Sequence, residues 1–235
     1  IDDLVVPSIS KEITNILPKR FKRGEVLLPI DQPVVNLWYL VSGYVRQYSI
    51  SLQGEEFTLN ILRPGSIFPL TLALSNQENR YYFQALSSVA VKLGKLSFLL
   101  EQFQAHSTVA ISLMKKLSLG LNQLSSRTES IIFGTAQEKI VAVLLLLADR
   151  FGHNSQNKSN SVSASLSQKP SFAAPIIIDA FKISHQLLAS MTALTRETVT
   201  VEMRRLKKQA LLDYRSSHIT LLKPQKLLQI SSLPT

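Results

Sequence analysis

Residues Ile183 to Leu206, reading ISHQLLASMTALTRETVTVEMRRL, constrain this chain more tightly than any other stretch. Two short amphipathic helices are predicted here, the first from about Ser184 to Met191 and the second starting at Thr195, with a turn at Thr192–Leu194. Thr195 suits an N-cap, because its hydroxyl can accept from a backbone N–H that the first helical turn leaves unpaired. Leu187, Leu188, Met191, Leu194, Val199, Met203 and Leu206 recur at helical spacing and should pack inward. Arg196, Glu197, Thr200, Val201, Arg204 and Arg205 are left on or near the other side. A second helix with long polar side chains near its N-terminus is what a DNA major groove admits. The rest of the chain should therefore explain how such a reader is held, paired and controlled.

Charge supports that reading. The formal net charge is +10, and the last sixty residues carry the largest excess, nine Lys and Arg against four Asp and Glu. On a two-helix reader pattern, a local basic excess points to nucleic acid. With no cysteine, the chain cannot use disulfides, thiolate catalysis or cysteine-held iron–sulfur or zinc sites. His106, His153, His185 and His218 are scattered without metal-ligand spacing. No Ser/His/Asp spacing, metal cluster or Walker loop emerges, and the carboxylates are sparse, with the Glu55-Glu56 pair beside a hairpin turn, so an enzyme is not expected. No signal-like segment opens the chain and the longest apolar run, near Ile140–Ala148, is too short to span a bilayer. A cytoplasmic protein without a membrane partner is expected.

Taken in order, residues 1–23 read as a helical lead-in that Pro18 ends. Between 24 and 96 the period changes to two. Val26, Leu28 and Ile30 alternate, as do Leu37, Tyr39 and Val41, then Tyr44, Arg46, Tyr48 and Ile50, then Phe57, Leu59 and Ile61, and last Val89, Val91 and Leu93. Glycines at 24, 43, 54 and 65 punctuate these runs, and Gln53-Gly54 suits a hairpin turn. Short strands so spaced indicate a β-sandwich or barrel. From 98 to 133 the helical period returns. Ser107, Ala110, Met114, Leu117, Leu121, Leu124, Thr128 and Ile131 are spaced alternately by three and four, the spacing of a coiled-coil seam. An ordinary amphipathic helix lying on its own domain would show the same pattern. Because DNA readers of this type act as symmetric pairs, a homodimer is expected.

A helix from about Thr135 to Arg150, apolar nearly all round, should lie buried between domains, with Gly152 just past its end. Residues 153–174 are rich in Ser, Asn and Gln and read as a flexible insertion. Ile176–Asp179 resembles a strand. Leu211, Leu212 and Tyr214 with Ile219 and Leu221 flank Arg215-Ser216-Ser217-His218, a hairpin that makes the module a winged helix-turn-helix. The tail from Lys223 is weakly helical and is expected to fold back on the module. The domain organisation read from these shifts is 1–103, a linking helix over 104–134, and 135–235 with the insertion at 153–174.

Together these features resemble the Crp/Fnr family of bacterial transcription regulators. Thr195-Arg196-Glu197-Thr198-Val199 matches the family's opening of the recognition helix, and Asp179 to Gln186 (DAFKISHQ) with Ala189 is most similar to the nitrogen-control branch known from cyanobacteria. The resemblance implies an α+β fold: an N-terminal β-roll like the cyclic-nucleotide-binding jelly roll, a long dimerisation helix through Ala110, Met114, Leu117, Leu121, Leu124, Thr128 and Ile131, and a C-terminal winged helix-turn-helix. It implies double-stranded DNA and RNA polymerase as partners. Arg196 and Glu197 would reach base edges, with Thr200 and Val201 beside them. Ser184, His185, Gln186, Thr195, Arg204, Arg205 and His218 would hold phosphates. Many members carry a second base-reading Arg five residues after the first, where this chain has Val201, and a glycine in the turn, where it has Ala193.

The same resemblance raises the question of an effector. The family's cyclic AMP cradle is a Gly-Glu-Leu segment followed later by Arg-Ser. This chain has Pro69 and Leu70 at the glycine and glutamate positions and Arg80-Tyr81 near the later pair. A lost backbone N–H and a lost carboxylate disfavour cyclic AMP. Arg63, Leu70, Arg80 and Tyr81 are the candidate effector residues, and 2-oxoglutarate, the dicarboxylate sensed by the nitrogen-control branch, is the alternative ligand. No metal or resident cofactor is expected. A rival reading is a signalling module whose basic C-terminal part docks a protein or RNA.

Overall fold

The computed structural model describes residues 17–31, 34, 36–105, 107–154, 170–215 and 218–231. It divides into two compact units at Asn122/Gln123. The first contains β1 (Lys19–Phe21), β2 (Val26–Leu28), β3 (Asn36–Ser42), β4 (Val45–Ile50), β5 (Glu56–Leu62), β6 (Ile67–Phe68), the short helix α1 (Leu70–Leu74), β7 (Tyr82–Ala85), β8 (Val89–Lys95), α2 (Leu96–Ala105) and the first part of α3 (Ser107–Phe133). Two four-stranded antiparallel sheets, β1-β8-β3-β6 and β2-β7-β4-β5, supply the two sides of one core. Trp38, Leu40, Phe68, Val89 and Val91 from the first sheet meet Leu27, Leu28, Val45, Leu62, Phe83 and Ala85 from the second. Phe21, Trp38, Phe68 and Phe83 run through it as successive ring pairs 5.9, 6.2 and 5.0 Å apart. Burying each such ring contributes roughly 1.5–3 kcal/mol.

Three local departures from simple alternation have physical causes. Strand β3 is covered on both faces: Trp38 and Leu40 enter the core between the sheets, while Leu37 and Tyr39 join Leu70, Ala73, Leu99 and Leu113 of the helices. Val41, expected inside, is exposed, because the pairing with β8 shifts register after Leu40. In β4 a bulge at Gln47/Tyr48 breaks the period. Arg46 is only 9% exposed there, and its burial is compensated: Gln84 and Glu56 each meet its guanidinium at 2.7 Å and the ring of Tyr48 lies beneath it at 4.1 Å. The helical lead-in is corrected over its last part, since Lys19–Phe21 pair with β8 as a strand; residues 1–16 lie outside the described residues. The expected hairpin turn is present, with Gly54 at φ +82° donating to the Ser51 carbonyl. Gly43 is obligatory for two reasons: its φ is +85°, and a Cβ would strike the Ser88 carbonyl oxygen.

The second unit contains the remainder of α3, then α4 (Ala136–Phe151), β9 (Gly152–Asn154), β10 (Ile176–Ile178), α5 (His185–Thr192), α6 (Arg196–Lys208), β11 (Leu212–Tyr214), β12 (Ile219–Leu221) and α7 (Pro224–Ile230). A capping box starts α4. Thr135 accepts from Glu138 N, and the Glu138 carboxylate accepts from Thr135 N. Ile140 to Leu145, Leu147 and Ala148 are buried. The expectation that this helix lies between domains is corrected: it packs against α5, α6, α7 and β10 and is the centre of its own unit. Gly152 caps it at φ −88°, not in the left-handed conformation expected for a residue past a helix end. Glycine is needed there for space, as a Cβ would press on the Ala148 carbonyl and Ile176.

The wing sheet runs β11-β12-β10-β9, all antiparallel. Part of the expected flexible insertion is ordered. His153 and Asn154 belong to β9, and the Asn154 amide donates to the carbonyls of Ser171 and Pro175, each at 3.0 Å. Residues 155–169 lie outside the described residues. The tail folds back as expected, with Leu227 of α7 fully buried. Among the described residues, no helix is long and apolar enough to cross a membrane.

Candidate nucleic-acid interface

The reader is built from two capped helices. The Ser184 hydroxyl accepts from Leu187 N at 3.1 Å and starts α5; the Thr195 hydroxyl accepts from Thr198 N at 3.2 Å and starts α6. Between them Ala193 takes φ +53°, the left-handed conformation that a turn glycine would adopt without steric cost. Leu187, Leu188 and Met191 of α5 and Val199, Met203 and Leu206 of α6 are buried, as their spacing predicts. That burial turns Arg196, Glu197, Val201, Arg204 and Arg205 outward along one stripe of α6. Val201 is 61% exposed, an apolar side chain offered to solvent in the middle of a polar face. Glu197 sits in the first turn, where the helix dipole favours a carboxylate.

Thr200 lies on the same stripe, but its hydroxyl is engaged. It donates to the Arg196 carbonyl at 2.8 Å and lies 2.9 Å from Nδ1 of His185. His185 also meets the ring of Tyr214 edge-on, at 5.5 Å. Burial, then the charges of Arg196 and Arg204, hold the His185 imidazole below its ordinary pKa. Of the remaining expected phosphate residues, Gln186, Arg204 and Arg205 are exposed, and His218 stands at the base of the wing hairpin, where its carbonyl accepts from Arg215 N at 3.0 Å. Arg205 is 3.8 Å from Glu202.

Sequence reasoning missed two features. An open cleft of about 310 Å³ is lined by Lys182, Ile183, Ser184, His185, Tyr214 and Arg215, so the N-terminus of α5 and the wing share one basic concavity. Lys182 and Arg215 had visible charge, but only the sheet brings segments so far apart in sequence together. The second feature is Arg127 of α3. It is buried, donates from Nη2 to the Met191 carbonyl at 2.7 Å, and has its pKa lowered to about 10 by burial. A cation at the C-terminal end of α5 meets the carbonyl end of the helix, where its charge is favoured.

Along α3, Met114, Leu117, Leu121 and Leu124 are exposed, Ala110 and Ile131 are half-buried, and the Thr128 hydroxyl donates to the Leu124 carbonyl at 2.9 Å. The candidate effector residues have diverse surroundings. Leu70 is buried in the cluster with Leu37, Ala73, Leu99 and Leu113, whereas Tyr81 leans on the core between the sheets. Arg80 is exposed and donates to the Gln77 side chain at 3.1 Å, and Arg63 N donates to the Ser66 hydroxyl at 3.3 Å. Among the described residues, no cluster of His, Asp and Glu could hold a metal ion.

Residues 138–230 match the Crp-like helix-turn-helix domain, and residues 18–106 match the cyclic nucleotide-binding domain. In sequence the chain is 25% identical over 213 residues, 90% of this chain and 88% of the relative, to the global nitrogen regulator of Synechococcus elongatus. In fold it is similar to FixK2 from Bradyrhizobium japonicum, with a TM-score of 0.73 and 20% identity over 94% of this chain and 100% of that one. It is also similar to a CooA mutant from Carboxydothermus hydrogenoformans, with a TM-score of 0.70 and 22% identity over 94% and 90% of the two chains.

Proposed function

A chain that carries both of these domains belongs to the Crp/Fnr family of transcription regulators, which are not enzymes, and on that premise we propose that it reads a pseudo-palindromic duplex as a homodimer through α6. The observation that carries this reading is the exposed stripe of Arg196, Glu197, Val201 and Arg204 on a helix whose other face is locked into the unit's core. Arg196 can give two hydrogen bonds to guanine O6 and N7, Glu197 can accept from cytosine N4, and Val201 fits a thymine methyl. The hydroxyls of Ser184 and Thr195 and the side chains of His185, Gln186, Arg204, Arg205 and His218 fix register on phosphates. Two readers about 34 Å apart fit successive major grooves. The similarity to global nitrogen regulators supports nitrogen control as the regulated process; a cytoplasmic location and RNA polymerase as downstream partner complete the proposal.

Selection of bound duplexes from a random pool tests the function. The wild type should enrich a two-fold symmetric motif. Arg196→Ala should lose preference at one base of each half-site, at about 1–3 kcal/mol per contact. Absence of any symmetric motif would leave the rival, a basic domain docking a protein or RNA. An unchanged motif in the variant would remove Arg196 from the reading.

For the effector, our reading is a small dicarboxylate such as 2-oxoglutarate and not cyclic AMP. Leu70 is packed among apolar side chains and Pro69 has no N–H, so two polar groups of a nucleotide cradle are missing. A ligand at a hundred times its Kd stabilises the folded state by about 2.7 kcal/mol. In a thermal-shift assay, cyclic AMP should therefore leave the unfolding midpoint in place and 2-oxoglutarate should raise it. A rise of several degrees with cyclic AMP would reverse this assignment.

A further inference from the structure

One consequence of the reader's geometry concerns the proton on His185. The Thr200 hydroxyl has a single hydrogen, and it donates that hydrogen to the Arg196 carbonyl at 2.8 Å. Its oxygen, 2.9 Å from Nδ1 of His185, is then an acceptor, so Nδ1 is the ring nitrogen that carries the hydrogen. In the neutral imidazole this leaves Nε2 as a lone pair, with no hydrogen-bond partner among the described residues. A phosphate oxygen cannot be bound by a lone pair. For His185 to contact DNA from the cleft it shares with Lys182, Ser184, Tyr214 and Arg215, Nε2 must first take a proton.

In the free protein the surroundings disfavour that proton. Arg196 and Arg204 face the ring from α6, Lys182 and Arg215 line the same cleft, and the ring of Tyr214 meets the imidazole in a T-shaped contact. The carboxylate of β11, Asp213, is engaged by Lys207 at 2.6 Å, and that of Glu202 on α6 is beside Arg205. We propose that His185 is a proton-coupled phosphate contact: each reader that docks on a duplex takes up one proton from solvent at Nε2, and the resulting imidazolium donates to a backbone phosphate. This rests on the DNA-reading function proposed above.

The linkage has a definite sign. The free imidazole has a lowered pKa and a neighbouring phosphate raises it, so between the two values the bound state holds more protons than the free state. Affinity should rise as pH falls through that window, by up to roughly tenfold per pH unit for each chain bound, and level off below the free-state pKa. Thr200 thereby acts as a positioning residue, because it selects the tautomer.

Calorimetric titration of the full chain with its enriched symmetric duplex tests this in two buffers of equal pH and different ionisation enthalpy. Wild type should take up about one proton per chain. His185→Gln, whose amide donates without a proton from solvent, should bind at high pH yet take up at least half a proton less, with a flatter pH profile. Equal uptake by the two proteins, or no uptake by wild type, overturns the proposal while leaving DNA reading intact. Failure to bind any duplex overturns both. Independently, ¹⁵N shifts of the free protein should show His185 protonated at Nδ1; protonation at Nε2 in the neutral ring would overturn the mechanism without any DNA.

Discussion

Leu121→Glu should convert the protein from dimer to monomer in sedimentation and lower its affinity for a symmetric duplex by about 10²–10⁴-fold, the advantage that linking two reading modules confers. Leu121 is 63% exposed, so in an isolated chain its replacement by glutamate removes little packing. Across a paired seam the same change would set two carboxylates against apolar neighbours from the other copy, with no cation to meet them. Leu119 is the control. It is 57% exposed on the same helix, but lies two residues from Leu117 and from Leu121, on the opposite face. Leu119→Glu should leave both sedimentation and DNA affinity unchanged. Two monomeric variants would assign the interface to the whole helix surface, and two dimeric ones would move it off α3.

Leu188→Ala should destabilise the second unit by about 2–5 kcal/mol, the range for truncating a fully buried leucine in a core that relaxes only partly. Leu188 has no exposure, and its helix α5 packs against α6, whose Val199, Met203 and Leu206 are buried. The melting transition followed by helical circular dichroism should fall by at least about 5 °C. Val201→Ala, on the exposed side of α6, should move the same transition hardly at all, since surface changes usually stay within about 0.5 kcal/mol. The two variants separate what holds the reader from what reads. Leu188→Ala should bind its duplex normally well below its melting temperature, whereas Val201→Ala should weaken preference at one thymine. A stable Leu188→Ala protein would mean that the site collapses around the smaller side chain.

Much of the molecule was legible because its signals are local. The cap at Thr195, the Gln53-Gly54 turn and the inward spacing of Leu187, Leu188, Met191, Val199, Met203 and Leu206 each depend on residues a few positions apart, and each is present; Leu194, expected to pack inward as well, is half-buried. Strand positions were legible as well, but their faces were less so. Periodicity marks one buried face, and β3 has two; a bulge in β4 resets the alternation without any residue that announces it. The central position of α4 was misjudged for a related reason. An all-round apolar helix must be buried, but its sequence does not say by what.

For the candidate site the division is the same. Sequence alone determined that a charged helix beginning at Thr195 follows a shorter one, and that its apolar positions leave Arg196, Glu197 and Val201 facing out, because helical geometry converts spacing directly into direction. Only the tertiary structure decided which polar groups are already engaged. Thr200 looked free to read a base, yet its hydroxyl is shared between its own helix and His185. Arg127 looked like one more charge on a long helix, yet it is buried against the Met191 carbonyl, 64 residues away along the chain. Hydrogen bonds of this kind depend on distances of a few tenths of an ångström between groups far apart in sequence. Only the packed fold sets such distances, and here they also decide where the proton on His185 resides.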